Sequence, residues 1–226
     1  MRLISLSSLI FSAICAVSSP VAAEPTPVVV ELFTSQGCSS CPPADALMRE
    51  LAEREDVIGL ALHVDYWDYI GWKDEFAIAG HTDRQKAYAQ HAGRRMIYTP
   101  QMIVMGQDSI VGAKAMKLAD LLAKHRAQPR QINLGVTRDG GTLRVSLEAL
   151  AALKTGEFDV HLLRYTPSKS VRITRGENAR RTLDYANIVE SWEHLGTWDG
   201  RASAQMEAKI PGDLPAIILV QHAQTG

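Results

Sequence analysis

Apolar positions along this chain fall into short runs whose spacing alternates between strand and helix periods. Residues 27–33 are apolar at nearly every position, the pattern of a strand covered on both faces. A polar turn at 34–37 follows. From 44 to 54, Ala44, Leu47, Met48 and Leu51 recur at helical spacing. Residues 57–64 form a second apolar run, so strand, helix and strand make one βαβ unit with parallel pairing. Further along, the pattern predicts a helix over 73–91, a short strand over 102–105, a turn at 106–108, a strand over 109–112 and a helix over 115–125. After Gln128-Pro129 the character changes. Strands are predicted over 132–137 and 143–147, joined by a glycine turn, and then over 157–165, 170–174, 183–190 and 216–222. Short strands with frequent turns predict a small β-sandwich.

Composition narrows the function classes. A net charge of -1 over 226 residues lacks the basic footprint that phosphate backbones demand, so no nucleic acid partner is expected. Arg2, an apolar serine-rich run over 3–17 and the small residues Val21-Ala22-Ala23 read as a signal peptide, residues 1–23, cleaved before Glu24. That run is short for a bilayer span, and Cys15 follows Ile14 where a lipoprotein signal wants a small side chain. The mature protein is expected to be soluble, not integral to the membrane, and periplasmic or secreted.

Cleavage would reduce three cysteines to two, Cys38 and Cys41, in a compartment where disulfides persist. A bridge across two intervening residues closes almost no loop, so it restrains the unfolded chain little and points to reactivity instead. The pair follows a buried strand and opens a helix. There, unpaired backbone N–H groups and the helix dipole favour a thiolate at Cys38, the nucleophilic form. Cys41 lies one turn further in, placed to attack a mixed disulfide at Cys38. Ser39 and Ser40 add hydroxyl donors, while Pro42 and Pro43 stand where a missing N–H costs least. A structural bridge or a zinc half-site is the plainer alternative. Zinc wants four ligands, however, and there is no second cysteine pair.

Val30-Glu31-Leu32-Phe33 followed by Gly37-Cys38-Ser39-Ser40-Cys41-Pro42 resembles the active-site segment of the thioredoxin superfamily, and the element order β-α-β-α-β-β-α is that of its fold. More narrowly, Glu31-Leu32-Phe33-Thr34-Ser35-Gln36-Gly37-Cys38-Ser39-Ser40-Cys41-Pro42-Pro43 resembles DUF1223, a family of secreted bacterial proteins. The likeness continues through His63 to Tyr69, Thr99-Pro100-Gln101 and Arg175-Gly176-Glu177-Asn178. The expected fold class is therefore α/β, a thioredoxin-like domain over 24–127 followed by a small β-sandwich domain over 128–226.

The resemblance implies a thiol-disulfide oxidoreductase acting on protein or small thiol substrates with a redox partner, its redox-active disulfide serving in place of any cofactor. It implies a cis Thr99-Pro100 bond facing the dithiol, with Thr99 pairing to an extended substrate. It also implies a buried acid that takes the proton of the resolving cysteine, a role that falls to Glu31; the other reading of Glu31 is an edge position in solvent. Gly37 replaces the aromatic residue usual before the first cysteine, which would leave Cys38 open to bulky partners. Tyr66, Trp67, Tyr69 and Trp72, packed with Asp65 and Asp68 into one eight-residue stretch, either line a groove (Tyr66 and Trp67) or hold the insertion down (Trp72). Two rivals stand. One is a copper(I) or zinc metallochaperone ligating through Cys38, Cys41 and His63; the other is a binding module with a non-catalytic disulfide. The charged run 175–181 is either a solvated loop or a docking element.

Overall fold

The computed structural model describes residues 26–153 and 156–223; the expected signal peptide and Cys15 lie outside them. The element order is β1 (Val28–Thr34), α1 (Pro42–Ala52), β2 (Val57–His63), α2 (Ala79–His91), β3 (Gln101–Val104), β4 (Asp108–Val111), α3 (Ala115–Arg126), β5 (Ile132–Asp139), β6 (Thr142–Ala149), β7 (Phe158–Arg172), β8 (Thr182–Trp198), β9 (Ala204–Lys209) and β10 (Ala216–His222). The fold is mixed α/β. One seven-stranded sheet has the order β10-β7-β8-β2-β1-β3-β4, and a three-stranded sheet has the order β5-β6-β9.

Strand alternation sorts the side chains of β1. Val28, Val30 and Leu32 pack with Ala44, Met48 and Leu51 of α1 and with Leu118 and Leu122 of α3. Phe33 points the other way, into a cluster with Leu60, Leu62 and Ile103 that Tyr88 of α2 borders. β1 and β2 pair in parallel from Val28↔Val57 to Thr34↔His63, as the strand-helix-strand pattern requires. β3 and β4 add an antiparallel hairpin beyond β1.

The expected division at residue 128 is not how the strands are shared. β8 pairs in parallel with β2 at Ala61↔Ile188, so β7, β8 and β10 extend the first sheet. β2 would otherwise present a bare edge next to the site. The three-stranded sheet packs against this extension. At their far ends β7, β8 and β10 contribute Phe158, Val160, Leu162, Trp198 and Ile218 to a core shared with Leu143, Val145 and Leu147 of β6. β7 and β8 have 15 and 17 residues, or about 50 Å and more of extended chain, and so reach both places.

Four elements depart from the sequence pattern, one of them β8, which runs on to Trp198 past its expected end at 190. β7 runs unbroken through Pro167, where two strands were expected. β10 pairs only with residues 158–164, so the edge at Pro167 has no ladder partner to lose. α2 starts at Ala79 rather than 73, because residues 74–78 are tied to other parts of the chain: Asp74 accepts Gln36 N–H, and Ile78 N–H donates to His63 O. β9 went unseen because Ala-Gln-Met-Glu-Ala-Lys carries little β preference.

Candidate functional site

Cys38 and Cys41 are joined, with Cα atoms 5.4 Å apart. Cys41 is the N-cap of α1, and prolines occupy the first two helical positions. The turn before it is closed by Cys38 N–H on Ser35 O at 3.1 Å and Cys41 N–H on Cys38 O at 3.3 Å. Ser40 Oγ lies 3.4 Å from Cys38 Sγ and donates to Thr99 O at 3.5 Å, so the Ser40 hydroxyl links Cys38 to the Thr99 carbonyl. The Thr99-Pro100 bond is cis. Trp67 Nε1 donates to Thr99 Oγ1 at 2.7 Å and holds that loop in place.

Gly37 does not open the site. Both cysteines are 0% exposed. A Cβ at Gly37 would lie 3.1 Å from Ile70 Cδ1 and 3.2 Å from Trp67 Cβ, so the glycine admits the aromatic segment against the turn. A Gly37→Leu substitution is expected to cost about 1–3 kcal/mol by overpacking. A urea melt checks this, with an unchanged midpoint as the contrary result. The aromatic stretch is committed to internal bonds more than to a groove. Tyr66 donates to Gln85 at 3.1 Å and Trp72 donates to Gln36 Oε1 at 2.7 Å, while Asp65 accepts from Thr82 at 2.6 Å and Asp68 from Asp74 N–H at 3.0 Å. Only Tyr69 of the four aromatics stands out in solvent.

Glu31 is buried, but on the wrong face for the dithiol. It receives Arg84 through two bonds of 2.6 and 2.8 Å and the Tyr88 hydroxyl at 2.7 Å, all from α2. α1 and Cys41 lie across the sheet, on the side of Val30 and Leu32. The period of two along β1 sends residue 31 away from them, so Glu31 cannot serve the resolving cysteine, and neither of its two expected settings is found.

The acid on the Cys41 side is Asp45. It sits four residues after Cys41, hence on the same helix face, and Thr34 Oγ1 donates to its Oδ1 at 2.7 Å. Its Oδ2 is buried with no hydrogen-bond partner among the described residues. Burial pushes the carboxyl up to about 7, against the opposing pull of His63 and the Thr34 hydroxyl. A polar pocket of about 160 Å³ bordered by Asp45, Arg49, Arg181 and Asp184 leads from α1 toward solvent.

His63 belongs to the same buried cluster. Its Nδ1 lies 2.7 Å from Asp74 Oδ2, and its ring is held between Phe76 and Tyr185 with centroids 5.1 and 5.0 Å away. Asp74 Oδ2 also accepts Gln36 N–H at 2.8 Å, linking the histidine to the turn before Cys38. Among the described residues no group of three His, Cys, Asp or Glu side chains is arranged to hold a metal ion. The Cys38, Cys41 and His63 set is therefore not assembled.

The run 175–181 is a docking element. Asn178, buried, donates at 2.9 Å to both Gln36 O and Cys38 O, and Glu177 accepts Ser39 N–H at 3.3 Å. Sequence reasoning missed Asp45, Asp74 and this use of Asn178. A carboxylate on the buried face of α1 could have flagged the first. Nothing local marks the other two.

The family model described as a protein of unknown function, DUF1223, matches residues 29–221. A crystal structure of a protein from Agrobacterium tumefaciens is similar at 34% identity and a TM-score of 0.71, covering 83% of this chain and 80% of that one. No curated protein matches. Among the described residues, no helix is long and apolar enough to cross a membrane. The match over nearly all the described residues, dithiol segment and β8 included, places the chain in the DUF1223 family.

Proposed function

We propose that this protein is an exported thiol-disulfide oxidoreductase working on a thioredoxin-like arrangement of strand, dithiol, helix and cis-proline loop. The observation that carries the reading is the Cys38–Cys41 bond at the start of α1, with the Thr99 carbonyl on one side and the buried carboxyl of Asp45 behind. In the reduced protein the Cys38 thiolate attacks a substrate disulfide, forming a mixed disulfide and releasing one substrate thiolate. Asp45 accepts the proton of Cys41, whose thiolate then attacks Cys38 Sγ. That step closes the Cys38–Cys41 bond and releases the second substrate thiolate. Run in reverse, the same steps oxidise a dithiol partner. Exchange with a protein goes with displacement of the segments packed on residues 37–39.

Cys41→Ser is expected to trap partners as mixed disulfides on Cys38 that dithiothreitol releases, while the double variant Cys38→Ser/Cys41→Ser traps none. A Cys41→Ser protein that forms no adduct with protein or small thiols would overturn the reading and leave a non-catalytic disulfide.

A further inference from the structure

The tip of the β7–β8 hairpin reaches the dithiol from about 140 residues away along the chain. Asn178 spends both amide hydrogens on the carbonyls of Gln36 and Cys38, and Arg181 Nη1 donates to its Oδ1 at 2.7 Å, fixing which way the amide points. Asn178 is buried, so those two carbonyls have no ready exchange with water. Glu177 sits beside it with a carboxylate on the Ser39 N–H, one residue from the nucleophile. Gly176 is at φ +74°, and a Cβ there would lie 3.2 Å from Trp72 Cβ, so any other residue would be strained at this point of the tip.

We infer that Asn178 is a positioning residue for the dithiol and that Glu177 holds down the acidity of Cys38, so that the hairpin tip sets the redox poise of the pair. This rests on the exchange chemistry proposed above. Asn178 keeps the turn in the shape that brings Cys38 and Cys41 together, which raises the effective concentration of one sulfur at the other and favours the disulfide. The Glu177 carboxylate takes up an amide that would otherwise help stabilise the thiolate, and it adds like charge near the sulfur. Both effects push the same way, toward the oxidised form. The other charged groups around the pair are Asp45 on α1, Asp74 with His63 behind the turn, and Arg181 on the hairpin.

The test is the equilibrium of the full chain with reduced and oxidised glutathione. Two glutathione thiols give up two electrons and two protons to the Cys38–Cys41 bond, yielding the dithiol and glutathione disulfide. Asn178→Leu keeps the volume but removes both donors without adding charge, and is expected to shift this equilibrium about tenfold toward the dithiol. Glu177→Gln, at an exposed site, is expected to shift it about two- to fivefold the same way and to lower the midpoint of the pH profile for Cys38 alkylation. A residue that only filled space would tolerate Asn178→Leu better than Asn178→Ala; the positioning role gives both variants a shift of the same size. If the wild-type pair exchanges with glutathione but the variants match its midpoint, the inference falls and the exchange chemistry stands. If neither glutathione nor dithiothreitol opens the bond in the folded wild type, both fall.

Discussion

Asp45→Asn is expected to slow the resolution of a mixed disulfide on Cys38 by about a hundredfold near neutral pH, the usual scale for losing a placed base. The measurement is release of a small aromatic thiol preloaded on Cys38, followed in wild type and variant. Equal release rates would remove Asp45 from the chemistry. Stability gives an independent reading of the same group. Its folded pKa, about 7, stands above the unfolded value of 3.8, so the folded chain holds the proton more tightly across that window. The stability this contributes is complete below the unfolded value and is lost as pH rises to about 7. Over the full window the loss is about 4 kcal/mol, an upper figure for one buried carboxyl. Asp45→Asn, which still accepts from Thr34, should therefore flatten the stability profile between pH 4 and 8. Denaturant melts across that range check it, and a slope equal to that of wild type would show that Asp45 ionises freely in the fold.

The second large effect belongs to Glu31. Arg84→Met leaves that carboxylate buried with only the Tyr88 hydroxyl, and removal of one partner from such a pair costs about 3–5 kcal/mol. The double variant Glu31→Leu/Arg84→Met should recover most of that loss, because no charge is left buried without its partner. Arg84 also stacks on Trp192, 3.9 Å from the ring centroid, and bonds Gln221, so some cost remains in the double variant. Melting curves for the two single variants and the double give the coupling directly. The double variant should also keep the glutathione equilibrium of wild type, since this network lies across the sheet from the dithiol. A shifted equilibrium would return Glu31 to the site.

These two carboxylates show how far the sequence could be read. The family resemblance implied a buried acid for Cys41 and assigned it to Glu31, but strand alternation sends Glu31 to the α2 side. Asp45, which does share a face with Cys41, was hidden inside a helical pattern read only for its apolar members. The cis bond at Thr99-Pro100 was expected through the family resemblance, whereas the junction of strand, dithiol and helix was legible because it depends on residues adjacent in the chain. The expected break between 165 and 170 is absent for the opposite reason. A proline's cost in a strand depends on whether a neighbouring strand needs a donor at that position, and that is settled by where β10 stops.

The sequence by itself determined the βαβ start, the order of elements through α3 and the bond between Cys38 and Cys41. All of these follow from local spacing, which fixes helix, strand and turn without reference to distant chain. The tertiary structure alone decided that β8 joins β2, that Gly37 is covered by Trp67 and Ile70, and that Asn178 closes over Cys38. Such contacts join residues tens to more than a hundred positions apart. They are selected by which sheet edge lacks a partner and which buried carbonyls need a donor, conditions that exist only once the chain has folded.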